Sequence, residues 1–354
     1  LAPGEPHWPP SHRDLPPAHV MDAMERAMEL TPVLGDLGYN ERHSFNGLLQ
    51  VTTDGGPSIG ESPQTRGLWY AEAVWVKDGP GVGKVLADMM TDGGSDLDIS
   101  GIDVARFYPV QKTPTYIHDR CYEAAFKIYN PPVHTREPYS MGRNLRRSPF
   151  WPREKELGAY FMELAGWERA HGYAANEHLL EKYADQVPVR ENEWDNRHFW
   201  RVSNAEQLEM SANVGMINLS HFAVFDVLGP DAEALMEYAC VAKVGGRTAV
   251  GRGVYTHFLD HNGGIRADLT VIRLAADKFR VIDGADAGHR DLVWLRRLAE
   301  DRGWKVYIED QTDHQACLGV WGPNARKTLQ AIADEPEQLE ADNFPFATTK
   351  TITL

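Results

Sequence analysis

Along the chain, apolar and polar positions alternate in strand-like or helix-like periods between runs of Gly and Pro, and the stretch Tyr255 to Val271 carries the clearest pattern. Two apolar-rich runs flank Asp260-His261-Asn262-Gly263-Gly264, and Asn-Gly between such runs is a strong hairpin signal. The second run, Ile265-Arg266-Ala267-Asp268-Leu269-Thr270-Val271, holds a carboxylate where Asp is disfavoured, because its short side chain competes for backbone hydrogen bonds. A two-residue loop at Asn262-Gly263 sets Asp268 opposite His257 and Thr270 opposite Tyr255, all four on one face. Directly opposed side chains then lie roughly 5 Å apart and diagonal ones about 7 Å. Ile265, Leu269 and Val271 fall on the other face and are assigned to the core.

The same reading places a helix over Val20 to Leu30, a short strand over Asn46 to Thr53, a buried strand over Leu68 to Val76 and a helix over Val82 to Met90 that Gly93-Gly94 ends. A helix follows over Tyr116 to Tyr129. Strands are predicted over Thr248 to Leu259, Arg266 to Leu274 and Phe279 to Ile282, then a helix over Asp291 to Arg302. Residues 1 to 20, rich in Pro, read as an irregular surface segment. A repeat links Val224-Phe225-Asp226-Val227-Leu228-Gly229-Pro230-Asp231-Ala232 to Cys317-Leu318-Gly319-Val320-Trp321-Gly322-Pro323-Asn324-Ala325. With Pro in the first helical turn of each, two related α+β subdomains are expected.

Asp78-Gly79-Pro80-Gly81-Val82-Gly83-Lys84-Val85 superficially suggests a phosphate-binding loop and fails at both ends. Its first position is Asp, and Val85 stands where Ser or Thr would ligate magnesium; Lys84 likewise replaces the last Gly of a dinucleotide fingerprint. What remains is a helix start whose unpaired N–H groups favour electron-rich ligands, or a plain strand-to-helix connection. The Arg143, Arg146 and Arg147 group and Trp167-Glu168-Arg169 read as interdomain architecture.

A chain of 354 residues predicts two or three domains, and 42% hydrophobic with 25% charged residues fits an ordinary globular protein. The net charge of -15 disfavours nucleic acid and anionic membrane surfaces, leaving a small molecule as the expected substrate. Cys121, Cys240 and Cys317 include no Cys-x-x-Cys pair, so neither a disulfide framework nor a structural metal is indicated. No apolar run approaches about 18 residues, so no membrane span is expected. A cytoplasmic location follows, or the mitochondrial matrix in a eukaryote. Leu1 at the start and Thr351-Ile352-Thr353-Leu354 at the close make both ends read as cut.

Particular words go further. Gly263-Gly264-Ile265 with Asp268-Leu269-Thr270-Val271, Tyr255 and Gly229-Pro230-Asp231-Ala232 resemble the folate-binding aminomethyltransferase fold. Asp54-Gly55-Gly56-Pro57, Ile59-Gly60-Glu61, Gly67-Leu68-Trp69, Glu72-Ala73-Val74-Trp75-Val76 and Gly81-Val82 resemble the closing segment of an FAD-dependent amine oxidase domain. Arg106-Phe107, Arg143-Asn144-Leu145-Arg146, Ser148-Pro149, Glu156-Leu157-Gly158-Ala159 and Gly166-Trp167-Glu168-Arg169 resemble the connecting region of dimethylglycine oxidases and sarcosine dehydrogenases. The resemblance spans nearly the whole chain.

It implies an α+β fold of three parts: the C-terminal portion of an FAD-dependent oxidoreductase domain over 1–108, a central connector domain over 109–165, and an incomplete aminomethyltransferase-like folate-binding domain over 166–354. The implied reaction is oxidative N-demethylation of a small N-methyl amino acid of the dimethylglycine or sarcosine type, with FAD as oxidant and tetrahydrofolate as one-carbon acceptor. Asp268 is implied as the essential acid, Tyr255 and Ile282 as folate contacts, and Gly79, Gly81 and Val82 as FAD contacts. Lys77-Asp78-Gly79-Pro80 departs from the family wording, and Asn218 replaces the Asp expected before Leu219-Ser220-His221; Asn218 and His221 read as structural. Since no Gly-x-Gly-x-x-Gly fingerprint is present, a partner subunit or further segment is expected to carry the nucleotide-binding half. The alternatives are a flavin-free folate enzyme and a non-catalytic scaffold subunit.

Overall fold

The structure is a computed structural model that describes residues 12–37, 40–129, 134–260 and 262–354; the predicted irregular segment as far as residue 11, and turn residue His261, lie outside them. It divides into one unit over residues 1–50 and a second over 51–354. The first unit holds the helix Met21–Leu30 that the spacing predicts, a short helix Val33–Leu37, and the pairing of His12–Arg13 with Asn46–Gly47. The strand expected over Asn46 to Thr53 is therefore two residues long.

The second unit is built around a five-stranded antiparallel sheet. Its strands are β1 (Ala223–Leu228), β2 (Gly253–Leu259), β3 (Ile265–Ala275), β4 (Lys278–Asp283) and β5 (Tyr307–Asp310), in the spatial order β5-β1-β4-β3-β2. Period-two alternation sends Phe225, Val227, Phe258, Leu269, Val271, Phe279 and Val281 to one face. There they pack on Leu235 and Met236 of helix α1 (Ala232–Ala239) and on Leu292 and Leu295 of helix α2 (Gly288–Asp301). Those seven sheet residues are each no more than 3% exposed, which makes this face the core of the unit.

The hairpin β2–β3 has the predicted pairs, Asp268 with His257 and Thr270 with Tyr255. Its tip differs. Asp260 N–H donates to Gly264 C=O and Gly263 N–H to Asp260 C=O, with Gly263 at φ +85°, so the loop closes one residue wider than expected. Ile265 accordingly pairs with Leu259, and a register shift between Ile265 and Ala267 restores the predicted register from Ala267 onward. Ile265, expected in the core, is 70% exposed as a result.

Other expectations are corrected on similar grounds. The run Leu68 to Val76 contributes only the strand Trp69–Glu72, paired with Ser58–Glu61, and Val76 is 98% exposed rather than buried. The following helix starts earlier than predicted, at Gly79, and ends at Asp92 before Gly93 with φ +80°. The repeat is real but local. Both copies turn at a glycine with positive φ, Gly229 and Gly322, but Pro230 and Pro323 stand in the turn, ahead of helices that begin at Ala232 and Ala325. The first copy's strand lies inside the five-stranded sheet, whereas Leu318–Trp321 pairs only with Gly215–Asn218.

Residues 51–108 pack against α2. Arg297 Nη1 lies 3.0 Å from Glu61, Arg66 Nη2 2.6 Å from Asp301, and His289 Nδ1 2.7 Å from the Ala105 carbonyl. A small core of Ile59, Val82 and Val85 supports this segment.

Candidate functional site

The face of the sheet opposite the two helices carries the residues singled out by sequence. Thr270 pairs with Tyr255 on one side and Ile282 on the other, and Ile282 pairs with Val224, so Tyr255, Thr270, Ile282 and Val224 form a row across four strands. Asp268 and His257 form the next rung. Across the diagonal, Tyr255 Oη donates to Asp268 Oδ2 at 2.8 Å, and the Tyr255 and His257 rings meet edge-on with centroids 5.5 Å apart. Accepting that bond, the Asp268 carboxylate holds the Tyr255 phenol above its ordinary value. The chain thus brings Asp268, Tyr255 and Ile282 together on one surface.

That surface is open. Tyr255 is 65% exposed and Asp268 is exposed, so the acid stands on an open surface and not in an enclosed pocket. The physical reason is the arrangement of layers, since an antiparallel sheet with helices on one face only leaves its other face uncovered. The large cavity beside the hairpin, about 510 Å³, lies on the helix side and is lined by Leu259, Ile265, Arg266, Trp294 and Leu97 among others.

Behind the hairpin sits an ionic network that sequence reasoning missed. Arg266, the residue at the register shift, places Nε 3.1 Å from Asp291 Oδ1 and Nη2 3.9 Å from Asp103. Arg290 Nη2 donates to the Arg266 carbonyl at 2.7 Å and pairs with Asp291 at 3.1 Å. Burial, reinforced by the neighbouring Asp291 carboxylate, pushes the Asp283 carboxyl well above the usual range. The one visible signal was the adjacent opposite charges Arg290-Asp291; the rest depends on the register shift and on contacts distant in sequence.

At the proposed flavin-facing helix start, the three named residues differ in what they can offer. The N–H groups of Gly79 and Val82 are already bonded, to the Trp75 and Asp78 carbonyls at 3.0 and 2.9 Å, and the Val82 side chain is buried in the small core. Gly81 is exposed, with nothing within 4 Å of the place a Cβ would occupy. Gly81 is thus the exposed position of the three, while Val82 turns its side chain into the small core.

Of the residues read as architecture, Arg143, Arg146, Glu168 and Asn218 make structural contacts. Arg143 holds Glu168 through Nε at 2.9 Å, Arg146 holds Asp313 at 2.6 Å, and Asn218 Nδ2 donates to Ser148 Oγ and Glu154 at 2.7 and 3.0 Å. Among the described residues no cluster of His, Cys, Asp and Glu is arranged to hold a metal, and no helix is long and apolar enough to cross a membrane.

Comparison with known families shows a fused arrangement, an oxidoreductase central domain followed by an aminomethyltransferase-like α+β domain. Residues 92–148 match the model for the FAD dependent oxidoreductase central domain, and residues 150–354 match that for the GCVT N-terminal domain. The latter spans more than half of the chain, which belongs to the GCVT family. The chain is 30% identical to 4-methylaminobutanoate oxidase (formaldehyde-forming) of Paenarthrobacter nicotinovorans, covering 92% of this chain and 38% of that protein. It is 27% identical to mitochondrial dimethylglycine dehydrogenase of Rattus norvegicus, covering 95% of this chain and 37% of that protein. It is also 27% identical to the mitochondrial pyruvate dehydrogenase phosphatase regulatory subunit of Mus musculus, covering 84% of this chain and 33% of that one. The chain thus spans less than two fifths of the length of these relatives.

Proposed function

We propose that this chain forms part of an enzyme that oxidatively removes an N-methyl group from a small amino acid and passes the one-carbon unit to tetrahydrofolate. The observation that carries the reading is the Tyr255 to Asp268 hydrogen bond on a surface shared with Ile282, in a chain whose relatives include two enzymes of N-methyl amine oxidation. FAD, when bound by the whole protein, supplies the oxidant, and the open backbone at Gly81 fits approach by a flat ring. Everything else falls to side chains of the hairpin.

The oxidised methyl group is an electrophilic, cationic carbon that water hydrolyses to formaldehyde. A carboxylate about 4 Å from such a cation attracts it by roughly 4 kcal/mol at an effective dielectric of 20, and by less where solvent reaches it. Asp268, fixed by the Tyr255 hydroxyl, is aimed to attract that carbon and to accept a proton from the attacking folate nitrogen. Ile282 supplies apolar surface one strand away for a pteridine ring.

Replacing Asp268 with Asn in the intact protein tests the assignment. Amine oxidation is expected to persist, methylenetetrahydrofolate to fall by about 10²-fold, and free formaldehyde to rise correspondingly. An unchanged division between the two products would remove Asp268 from the transfer step. The likeness to a regulatory subunit favours a second reading, a non-catalytic scaffold. Intact protein purified without visible flavin absorbance, and inert toward N-methyl amino acids, would establish it.

A further inference from the structure

Arg169, in the strand Trp167–Tyr173, is a cation that the proposed chemistry does not use. The nearby Arg143 and Arg146 are satisfied by Glu168 and Asp313, but the Arg169 side chain has no ion pair or hydrogen bond among the described residues, and its Nε is buried without a partner. It pairs across the hairpin with Met162, and Met162 lines a cavity of about 170 Å³ together with His171, Arg136, Tyr160, His198 and Trp200. That volume admits a group of several heavy atoms, well beyond a single water.

Two of the groups lining this cavity, Trp200 Nε1 and the Arg136 guanidinium, can only donate. Trp200 Nε1 is buried without a hydrogen-bond partner among the described residues, and an indole N–H can only donate. Arg136 stacks its guanidinium 5.8 Å from the Trp200 ring and, among the described residues, has no carboxylate partner. The nearby acids are Glu137, already 3.1 Å from His198 Nε2, and Asp286, which acts on Arg169 only as a more distant charge. Burial, then the positive charges of Arg169 and Arg136, hold the His171 imidazole below its ordinary value. A buried indole N–H left unpaired is unfavourable, and with the Arg136 guanidinium beside it the cavity calls for an acceptor.

The niche also has a place relative to the hairpin. Arg169 acts electrostatically on His221, just before β1, and is acted on by Asp286, just after β4. Both lie at the end of the sheet where Asp268 stands, and β1 is two strand spacings, about 10 Å, from β3.

We propose that this cavity binds a carboxylate, with Arg136 and the Trp200 N–H lining it as donors and Arg169, beside Met162, adding positive charge at its edge. The carboxylate belongs either to the amino acid substrate or to the glutamyl tail of folate. The second source rests on the function proposed above.

Quenching of tryptophan fluorescence in the intact protein reads binding, because Trp200 lines the cavity. The probes are sarcosine, 5-formyltetrahydrofolate, and the same pteridine-aminobenzoate without its glutamate. Arg169→Met and Arg136→Met are each expected to weaken the carboxylate-bearing probe at least about tenfold. Arg169→Met should not lower Tm, because removing an unpaired, partly desolvated cation relieves a penalty. If the glutamyl tail is the ligand, Arg169→Met weakens the folate and spares the glutamate-free analogue; if the amino acid is, sarcosine binding is lost. Equal affinity of wild type and both variants for every probe would overturn the proposal, as would the absence of binding by any probe. Folate binding abolished by Asp268→Asn but untouched by Arg169→Met overturns the niche and leaves the folate reading standing. Sarcosine binding lost in Arg169→Met, with no folate binding in wild type, upholds the niche and removes the folate reading.

Discussion

At the scale of single residues, the pair Tyr255 and Asp268 shows how little protein a defined side-chain geometry needs. Two side chains on adjacent strands, diagonal to one another, produce a 2.8 Å bond because the ladder fixes their spacing. Since both are exposed, Tyr255→Phe should change stability by no more than about 0.5 kcal/mol in chemical denaturation. In the intact protein it should still shift one-carbon product toward formaldehyde several-fold, because the carboxylate loses its orienting donor. His221 makes a different prediction. Burial first, then Arg169 and His171, lower its pKa to about 4 from 6.5. The folded state therefore resists its protonation, so the stability it contributes is present above about pH 6.5 and is lost as pH falls toward about 4. Relative to wild type, His221→Gln should flatten the fall in Tm across that window. Of this surface, Asp268, His257, Thr270 and Tyr255 were legible, because strand parity and an Asn-Gly turn suffice to pair them. Asp268's exposure was not, because parity gives a face and says nothing of what covers it.

At the scale of elements, glycines decide where the chain turns and where it has slack. Gly322 sits at φ +107°, and a Cβ there would stand 2.4 Å from the Asn213 and Met210 carbonyl oxygens. Gly322→Ala should cost at least about 1–3 kcal/mol in a denaturant titration, combining backbone strain with that clash. Gly83, inside the helix Gly79–Asp92 with nothing within 4 Å, is the converse, and Gly83→Ala should stabilise by about 0.5–1 kcal/mol. The Gly-Pro repeat was visible in sequence, yet its two strands ended in sheets of different size, because partner choice depends on neighbours a local word does not encode. Likewise Leu68 to Val76 is apolar enough for a buried strand, and tertiary packing left Val76 outside.

At the scale of the whole second unit, the segment 51–108 and the five-stranded sheet meet on α2, and Asp291 is the keystone. It is 0% exposed and contacts Arg266 and Arg290, while Asp103 reaches the same Arg266 from the oxidoreductase-like segment. Asp291→Ala should cost about 3–5 kcal/mol, because it strands two buried guanidinium groups, and the loss should appear as a lower midpoint in urea unfolding. Composition gave the globular class, and the family words gave the order of parts. The network stayed hidden because its members lie far apart in sequence and because Arg266 reaches it only through the displaced register.

That displaced register has a last consequence. In an unbroken ladder Arg266 and Asp268 would point the same way; with one extra residue between Ile265 and Ala267, the arginine anchors backward on α2 and the aspartate faces outward. Insertions or deletions at the hairpin's apex that carry into β3 should therefore be tolerated only in even-numbered steps, since any odd one swaps anchor and acid between the two sides of the wall.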